Sequence, residues 1–451
     1  MRPPVLVGQK RLQEVAQRIL AASEADQTEV VLWAQDQALT RFANSAIHQN
    51  VAERDVQVRV RAVVGKRTGV ATTNDLRPEA LERVAETAMR LARLQPENPD
   101  FTSLPEPAPI PQVQALDEET LAFAPEDRAR GVAAICRLAD EAGLAAFGAF
   151  STSTVELAVY NSLGVAAYFP TTTAQLTLVA MGEATSGHAE AASRQVRQVD
   201  VESLAREAIG RAQLARNPRD LPPGRYPVVL NFYAVADILD VLGYIGWGAL
   251  AYQEGRSFVS GRLGERVASP LVSIWDDGLD PSGMPMPFDF EGVPKERVEL
   301  LRAGVAAGVV YDTFTAGREE GRRSTGHALP APNPYGPLPS NLFMAPGEAT
   351  LGEMVRSLDR GVFVSRFHYT VPVHRQKTVT TGMTRDGTFW IEGGEIAYPV
   401  KNLRFTQSYI EVLAHTEQVS REVRLVSSGF GATQAPSLLA SEFQFTGATE
   451  F

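Results

Sequence analysis

The chain has 451 residues, about three times the length of a typical domain, so two separate hydrophobic cores are expected. Hydrophobic residues make up 44% of it and charged residues 21%, and this composition excludes wholesale disorder. The 43 Lys and Arg against 53 Asp and Glu give a net charge of −10, and because no basic block is present, a nucleic-acid-binding surface is disfavoured.

The first 95 residues predict a helix, several strands and a second helix. Apolar residues at helical spacing predict a helix over 9–23, and the β-branched run that follows predicts a strand over 28–33. Residues 55–63 alternate strictly between apolar and polar, as in an antiparallel sheet with one wet face. The helical period returns after Pro78, a residue that the first turn of a helix tolerates.

Six prolines between Pro96 and Pro111 predict an extended connection, because proline fixes φ and lacks a backbone donor. A helix is then predicted from about Pro125 to Ala142. It contains Cys136, the one cysteine of the chain, in an apolar run that predicts a buried thiol. A disulfide framework is therefore excluded.

Two β-rich runs, 154–160 and 165–181, are joined by 161–164 (Asn-Ser-Leu-Gly), which predicts a hairpin. A further helix is predicted over 201–215. Strands that follow one another in hairpins, with helices on either side in the chain, indicate the α+β class with an antiparallel N-terminal sheet.

Three prolines and a glycine within 217–224 interrupt every regular pattern and predict the domain boundary. The predicted units are an N-terminal α+β domain, 1–220, and a β-rich C-terminal domain, 221–451. The second unit carries a prominent helix from Ala234 to about Ala251. Its clearest strands are predicted at 360–367, 388–391 and 396–400.

The sequence contains no stretch of 18 uncharged apolar residues, so a helical membrane span is not expected. The N-terminal run from Met1 to Gly8 also lacks the apolar core of a signal peptide. We therefore expect a cytoplasmic protein without membrane contact.

Five segments, spread over both halves of the chain, resemble those of the TldD/PmbA family, whose members were once described as modulators of DNA gyrase and are now described as peptidase subunits. The segments are 41–50, 257–278, 323–326, 339–347 and 391–400. Each segment is weak alone, but five in the same order over nearly the whole chain identify it as a member of this family.

The resemblance implies a two-domain α+β subunit that dimerises. In the catalytic branch a helix carries His-Glu-x-x-x-His, and a cysteine near the C-terminus is the third zinc ligand. Aligned on the segment that starts at Ser257, those positions hold Leu242, Gly243 and Trp247, and the cysteine position falls at Ser427 or Ser428. The resemblance therefore implies a PmbA/TldE-like subunit that lacks the metalloprotease motif and binds no metal or other cofactor.

Other residues offer weaker candidates for a site. A polar and aromatic cluster follows the degenerate helix, and two histidines complete a candidate cleft: Tyr252, Glu254, Arg256, Ser260, Arg262, His327 and His368. For the cluster that follows the helix, a structural role in anchoring the helix is favoured over a retained binding cleft. The six histidines of the chain show no metal-ligand spacing, and the run from Asp276 to Gly278 departs from the calcium-loop pattern and indicates a turn.

Three functions remain open from the sequence. The first is a non-catalytic subunit that pairs with itself or with a metal-bearing TldD-like relative and helps to process unfolded peptides. The second is an active metallopeptidase with a non-standard site built from distant residues such as His327, His368 or His374. The third is a scaffold that only binds peptides.

Overall fold

The computed structural model describes residues 6–429 and 431–449. The first half of the chain contains, in order, α1 Gln9–Ala22, β1 Gln27–Ala43, β2 Ala46–Val64, β3 Arg67–Thr73, α2 Pro78–Leu94, α3 Glu118–Ala122, α4 Pro125–Glu141, β4 Ala145–Asn161, β5 Ala166–Gly182, β6 Thr185–Ser193 and α5 Val201–Leu214. The helices and the hairpin predicted here are present. No helix in the described ranges is long and apolar enough to cross a membrane.

The strands of this half form one antiparallel sheet, which in the described part of the chain has the order β3-β2-β1-β4-β5-β6. The central strand β1 pairs with β2 on one side and β4 on the other, and Val30 stands opposite both Val60 and Tyr160. Because side chains alternate along a strand, Val30 and Val60 point to one face of the sheet and Val31 to the other.

The helices cover one face of this sheet in two separate groups. Helices α1 and α2 pack residues such as Leu12 against Val30 at one end. Helices α4 and α5 pack residues such as Ile135 against Leu178 at the other end. Each group buries an apolar stripe of the helix, which is the favourable free-energy term that holds it on the sheet.

The opposite face of the sheet joins the two halves of the molecule. The extended connection after α2 crosses this face, and its Ala115 is buried together with Val31 and Leu157. Phe288, from the second half of the chain, is fully buried in the same cluster. The proline-rich stretch 96–111 contains no helix or strand, as predicted.

The second half of the chain is rich in strands. In order it contains β7 Gly224–Leu230, α6 Phe232–Gly246, α7 Ala249–Gln253, β8 Ile274–Asp276, β9 Val298–Arg302, β10 Val305–Ala306, α8 Thr313–Gly317, β11 Asn341–Met344, α9 Leu351–Arg356, β12 Arg360–His374, β13 Val379–Glu392, β14 Glu395–Pro399, β15 Leu403–Ser408, α10 Tyr409–Ala414, β16 Thr416–Ser427 and β17 Ala432–Ala448. The α+β class and the β-rich second half are thus confirmed.

Five strands of the second half pair in a closed circuit, β7-β12-β13-β15-β17 and back to β7. The β7–β12 pairing is parallel and the others are antiparallel, so the sheet is mixed. Helix α6 follows β7 directly and packs mainly against β12 and β17. Its apolar side chains are buried on nearly all sides, as expected of a helix inside a core.

Several predicted elements have other bounds in the structure, and the strands predicted at 28–33, 55–63, 154–160 and 388–391 are all longer than expected. The helix expected to run to Ala251 ends at Gly246, and the short α7 begins at Ala249. The helix stops because its backbone pairs with Val310 instead. The Ala249 amide donates to the Val310 carbonyl and the Val310 amide donates to the Trp247 carbonyl, each at 2.9 Å. The strand expected over 360–367 continues to His374, where it pairs with β13.

Residues 194–223 separate the last strand of the first sheet from β7, the first strand of the second sheet. The change from one sheet to the other therefore falls close to the predicted boundary at 220/221. Independent folding of the two units stays a prediction.

A buried ion cluster connects the first sheet to the second half of the chain. The Arg61 guanidinium on β2 contacts Glu29 of β1 at 2.6 Å and Glu291, from a loop of the second half, at 3.0 Å. All three side chains are largely buried. Burial raises the pKa of Glu29 to about 7, although Arg61 opposes this shift.

We expect Arg61→Met to lower the free energy of unfolding by about 3–5 kcal/mol, because it leaves two buried carboxylates facing each other without a cation. The control is Arg67→Met, which removes the exposed ion pair with Glu97 at 3.2 Å and is expected to cost less than about 1 kcal/mol. Urea denaturation of both variants measures the difference. Equal losses in the two variants would show that the buried cluster contributes nothing special.

Candidate functional site

The candidate site lies on helix α6, inside the strand circuit. Most side chains of this helix are apolar, but Asp237, Asp240 and Tyr244 interrupt the pattern at intervals of three and four residues. At this spacing the three side chains lie along one face of the helix. A charged residue on an otherwise apolar helix is rare in a core and indicates a constraint other than packing.

Both carboxylates of this face have hydrogen-bond partners. Asp237 accepts from the Thr370 hydroxyl at 2.7 Å and from the Tyr409 hydroxyl at 2.8 Å. Asp240 accepts from the Thr433 hydroxyl. Burial raises the pKa of Asp237 to about 6 and that of Asp240 to about 7. Asp240 is therefore partly protonated at neutral pH.

The charge of neighbouring carboxylates adds to this effect at Asp240. Asp237, and Glu190 from strand β6, both raise its pKa further, after burial itself. Burial also raises the pKa of Glu190 to about 7, and Arg366 opposes that shift. The carboxyls with raised pKa values therefore extend from the α6 face to Glu190 on the first sheet.

A small recess lies beside Asp240 and Tyr244. Its other lining residues are Leu338, Pro339, Ser340, Leu342, Ser428, Ala432 and Thr433. The cavity volume is about 10 Å³, which is about the space that one water molecule needs.

The structure separates the residues predicted at the metal-ligand positions. Leu242 and Trp247 are fully buried in the main apolar core. Gly243 faces Pro339 and Leu342, so close that an added Cβ would lie 3.3 and 3.2 Å from them. Ser428 lines the recess. The helix residues that share the recess with Ser428 are therefore Asp240 and Tyr244.

The residues of the recess do not fit a catalytic zinc ion. Zinc in proteins is held by imidazole, thiolate or carboxylate groups, usually three of them. Here Asp240 supplies the one carboxyl, and the other polar groups are neutral hydroxyls. Within residues 6–429 and 431–449, no cluster of three His, Cys, Asp or Glu side chains suits a metal ion.

The polar cluster after α7 pairs mostly with itself. Glu254 and Arg256 form an ion pair, with Nε and Oε2 2.6 Å apart. The Ser260 hydroxyl donates to the backbone carbonyl of Tyr252 at 2.9 Å. Arg262 contacts Glu265 at 3.3 Å. These contacts support the role of ordering the turn that follows α7.

The two histidines of the predicted cleft lie in different surroundings. His327 is buried, and its ring bonds to Asp276 at 2.7 Å and Thr325 at 2.9 Å. His368 lies on β12, half-buried, with its ring packed edge-on against Tyr369. Their described contacts have no residue in common, so the structure does not assemble a single cleft from both.

Lys295 is a second buried polar residue at the recess, and the sequence analysis did not single it out. The Lys295 ammonium, 3% exposed, donates to the Ser340 hydroxyl at 3.1 Å. Asp276 accepts from the backbone amides of Ser340 and Asn341 at 2.7 Å each. The segment 339–347 is held in place by these bonds, which explains why a polar loop can lie against the core.

The fold and this site define the class of protein. Residues 223–447 match the model of the PmbA/TldA metallopeptidase C-terminal domain, and residues 35–92 match PmbA/TldA metallopeptidase domain 1. The chain belongs to the TldD/PmbA family.

Particular relatives agree with this assignment. The metalloprotease PmbA of Escherichia coli O157:H7 is 25% identical over 410 residues, which cover 84% of this chain and 83% of that protein. The metalloprotease TldD homolog of Haemophilus influenzae is 28% identical over 229 residues, 49% of this chain; that alignment spans 46% of the relative. The crystal structure of TldE from Thermococcus kodakarensis superposes with a TM-score of 0.87 at 20% identity, covering 96% of this chain and all of that one, and shares the fold.

We expect Asp240→Asn to stabilise the protein at alkaline pH. The folded-state pKa of about 7 exceeds the unfolded value of about 4, so the stability linked to the bound proton is full below pH 4 and is lost as pH rises to 7. Asparagine keeps an acceptor for Thr433 without the charge. The gain in unfolding free energy is expected to be about 2 kcal/mol larger at pH 8 than at pH 5.

Chemical denaturation at the two pH values tests this difference. The matched control is Asp359→Asn, the same chemical change at an exposed aspartate, which is expected to shift stability by less than about 0.5 kcal/mol at either pH. A gain at Asp240 that does not depend on pH would contradict a buried, proton-binding carboxyl.

Proposed function

We propose that this chain is a metal-less subunit of the TldD/PmbA type that supports the processing of unfolded peptides in the cytoplasm, in a dimer with itself or with a metal-bearing TldD-like relative. The observation that carries the proposal is the donor set beside α6. Where a metallopeptidase needs imidazole or thiolate ligands, this chain offers Asp240, Tyr244 and three hydroxyl groups.

The chemistry of the recess supports an inactive centre. Without a metal ion, a water molecule in the recess keeps a pKa near that of bulk water, far above the value of about 7 that zinc binding gives. Asp240 can take a proton, because its pKa is about 7, but a general base alone contributes only about 10² to 10⁴ to a rate. Amide hydrolysis therefore remains close to its uncatalysed rate in this proposal.

The alternative of an active metallopeptidase with a non-standard site has little support. The His327 ring is hydrogen-bonded to Asp276 and Thr325 inside the core. His374, at the end of β12, is exposed, and its Nδ1 accepts from the backbone amide of Lys377 at 3.3 Å. Neither histidine belongs to a group of metal-ligating side chains among the described residues.

An exposed apolar strand supports a subunit interface. Beyond Val364, strand β12 pairs with β13 but no longer with β7. On this projecting part Tyr369, Val371 and Val373 are 74, 52 and 59% exposed. Apolar side chains at alternate positions on a strand with one unpaired edge favour pairing with another chain. A partner subunit would cover this surface.

We expect the purified chain to show no metal-dependent peptidase activity. The assay follows cleavage of a reduced, unfolded casein fragment with added zinc, with and without a chelator. The same assay is repeated with a His-Glu-x-x-x-His relative from the same cell, and with that relative after its glutamate is replaced by glutamine. Turnover is expected only when both chains are present and the relative keeps its glutamate.

Chelator-sensitive cleavage by this chain alone would refute the proposal. Binding of the casein fragment without any effect on the relative's turnover would favour the scaffold function instead.

We expect Val371→Glu to weaken dimerisation at least tenfold, because it places a charge in the middle of the exposed apolar strand. The control is Leu214→Glu, at a side chain 60% exposed at the end of α5, which should leave association unchanged. Sedimentation velocity of each variant, alone and mixed with the relative, measures the change. If Val371→Glu associates like the unmodified chain, the interface lies elsewhere.

A further inference from the structure

The helix layer on the first sheet has a gap in its middle. The group around α1 and α2 covers one end of the sheet, and the group around α4 and α5 covers the other. Between them the residues that face the helix side are polar, among them Asp36, Arg54 and Thr154. A cavity of about 530 Å³ opens at this place.

One wall of the cavity is apolar and the sheet floor is polar. The end of α3, the start of α4 and the loop between them supply Leu121, Ala122, Phe123 and Pro125. Strands β1, β2 and β4 supply hydroxyl and charged side chains. An apolar wall combined with a few polar groups is the usual composition of a small-molecule site, and the volume lies within the usual range of about 300–1,000 Å³.

Arg128 is the buried charge of this cavity. It is 1% exposed, in the first part of α4. Its Nη1 donates to the Thr152 hydroxyl at 2.9 Å and to the Phe123 carbonyl at 3.2 Å, and its Nε reaches the Thr40 hydroxyl at 3.4 Å. Nη2 forms no hydrogen bond with any described residue.

The acceptors of Arg128 are neutral, and no described carboxylate forms an ion pair with it. The acidic residues on the same turn act on Arg128 only through space: Asp127 accepts from the Ala124 amide and pairs with Arg130, and Glu126 is exposed. Arg194, also largely buried, is held by two carbonyls and a hydroxyl and does not line a described cavity.

A buried guanidinium with no carboxylate in direct contact is costly, because the groups that replace its hydration shell are neutral dipoles. An anion at the free edge of Arg128 offsets that cost. A carboxylate oxygen can accept a charge-assisted hydrogen bond from Nη2, the guanidinium nitrogen that makes no hydrogen bond to a described residue.

We infer that this cavity binds the C-terminal carboxylate of a short apolar peptide, with the carboxylate on Arg128 and the last side chains against Leu121 and Phe123. A phosphate dianion fits less well, because Arg54, the other cation that lines the cavity, is paired with Asp36, and Glu53 repels a second negative charge. This site lies entirely in the first half of the chain and does not depend on the function proposed above for the α6 face.

The test uses the full chain and the tripeptide Ala-Ala-Phe, either as the free acid or as the C-terminal amide, in isothermal titration calorimetry. We expect the free acid to bind at least tenfold more tightly than the amide. Equal affinity of the two peptides, or binding of neither at millimolar concentration, would overturn the inference. Inorganic phosphate is titrated in parallel, and phosphate binding in place of the peptide would also overturn it.

Two variants locate the site. Arg128→Met is expected to abolish the preference for the acid, whereas Arg194→Met, a buried arginine away from the cavity, should preserve it. Because Arg128→Met also leaves Thr152 and Phe123 without their donor, Ala52→Trp provides an independent test: Ala52 is exposed at the cavity rim, and tryptophan there fills the space without removing a contact.

Circular dichroism checks that each variant keeps its fold. Loss of acid binding in folded Ala52→Trp supports the inference. Unchanged acid preference in both Arg128→Met and Ala52→Trp places the peptide at another site and contradicts it.

Discussion

The enclosure of helix α6 by strands is the constraint on which the rest of the second half depends. The helix is buried on nearly every side, so each polar group on it must find a partner inside the protein. Thr370, Tyr409 and Thr433 are those partners, and they come from β12, α10 and β17 respectively. The hydrogen bonds of two aspartates therefore specify how the helix sits relative to strands distant in the sequence.

The two halves of the molecule are joined by apolar contacts and by charge. Phe288 inserts among side chains of the first sheet, and Glu291, three residues later in the chain, meets Arg61 on the same sheet. An apolar contact tolerates small shifts of one sheet against the other. The Arg61 guanidinium contacts both Glu29 and Glu291, and a buried ion cluster of this kind requires a defined geometry. The short loop that carries both residues thus aligns the two sheets.

Arg61 and Arg128 show how differently a fold treats two buried arginines. Arg61 contacts two carboxylates, and its charge is matched within the protein. Arg128 contacts two hydroxyls and a carbonyl beside a cavity, and its charge is not matched by a contacting carboxylate in the described chain. The first arrangement suits a contact that holds the two halves of the chain together. The second suits a site where a bound ligand supplies the missing negative charge.

Local pattern was sufficient for the four long helices of the first half, the hairpin at residues 161–164 and the α+β class, because periodicity and turn chemistry act within a few residues; the short α3 was not predicted. The family followed from segments with a recognisable order. The sequence did not predict which residues of α6 face the candidate site. Leu242 and Trp247 are buried in the core, whereas Asp240 and Tyr244 line the recess with Ser428. Which face of a mostly apolar helix meets Ser428, between β16 and β17, depends on the packing of the entire circuit. Likewise, Arg128 is an ordinary helix residue in the sequence, and its unmatched charge arises only when α4 packs on the sheet.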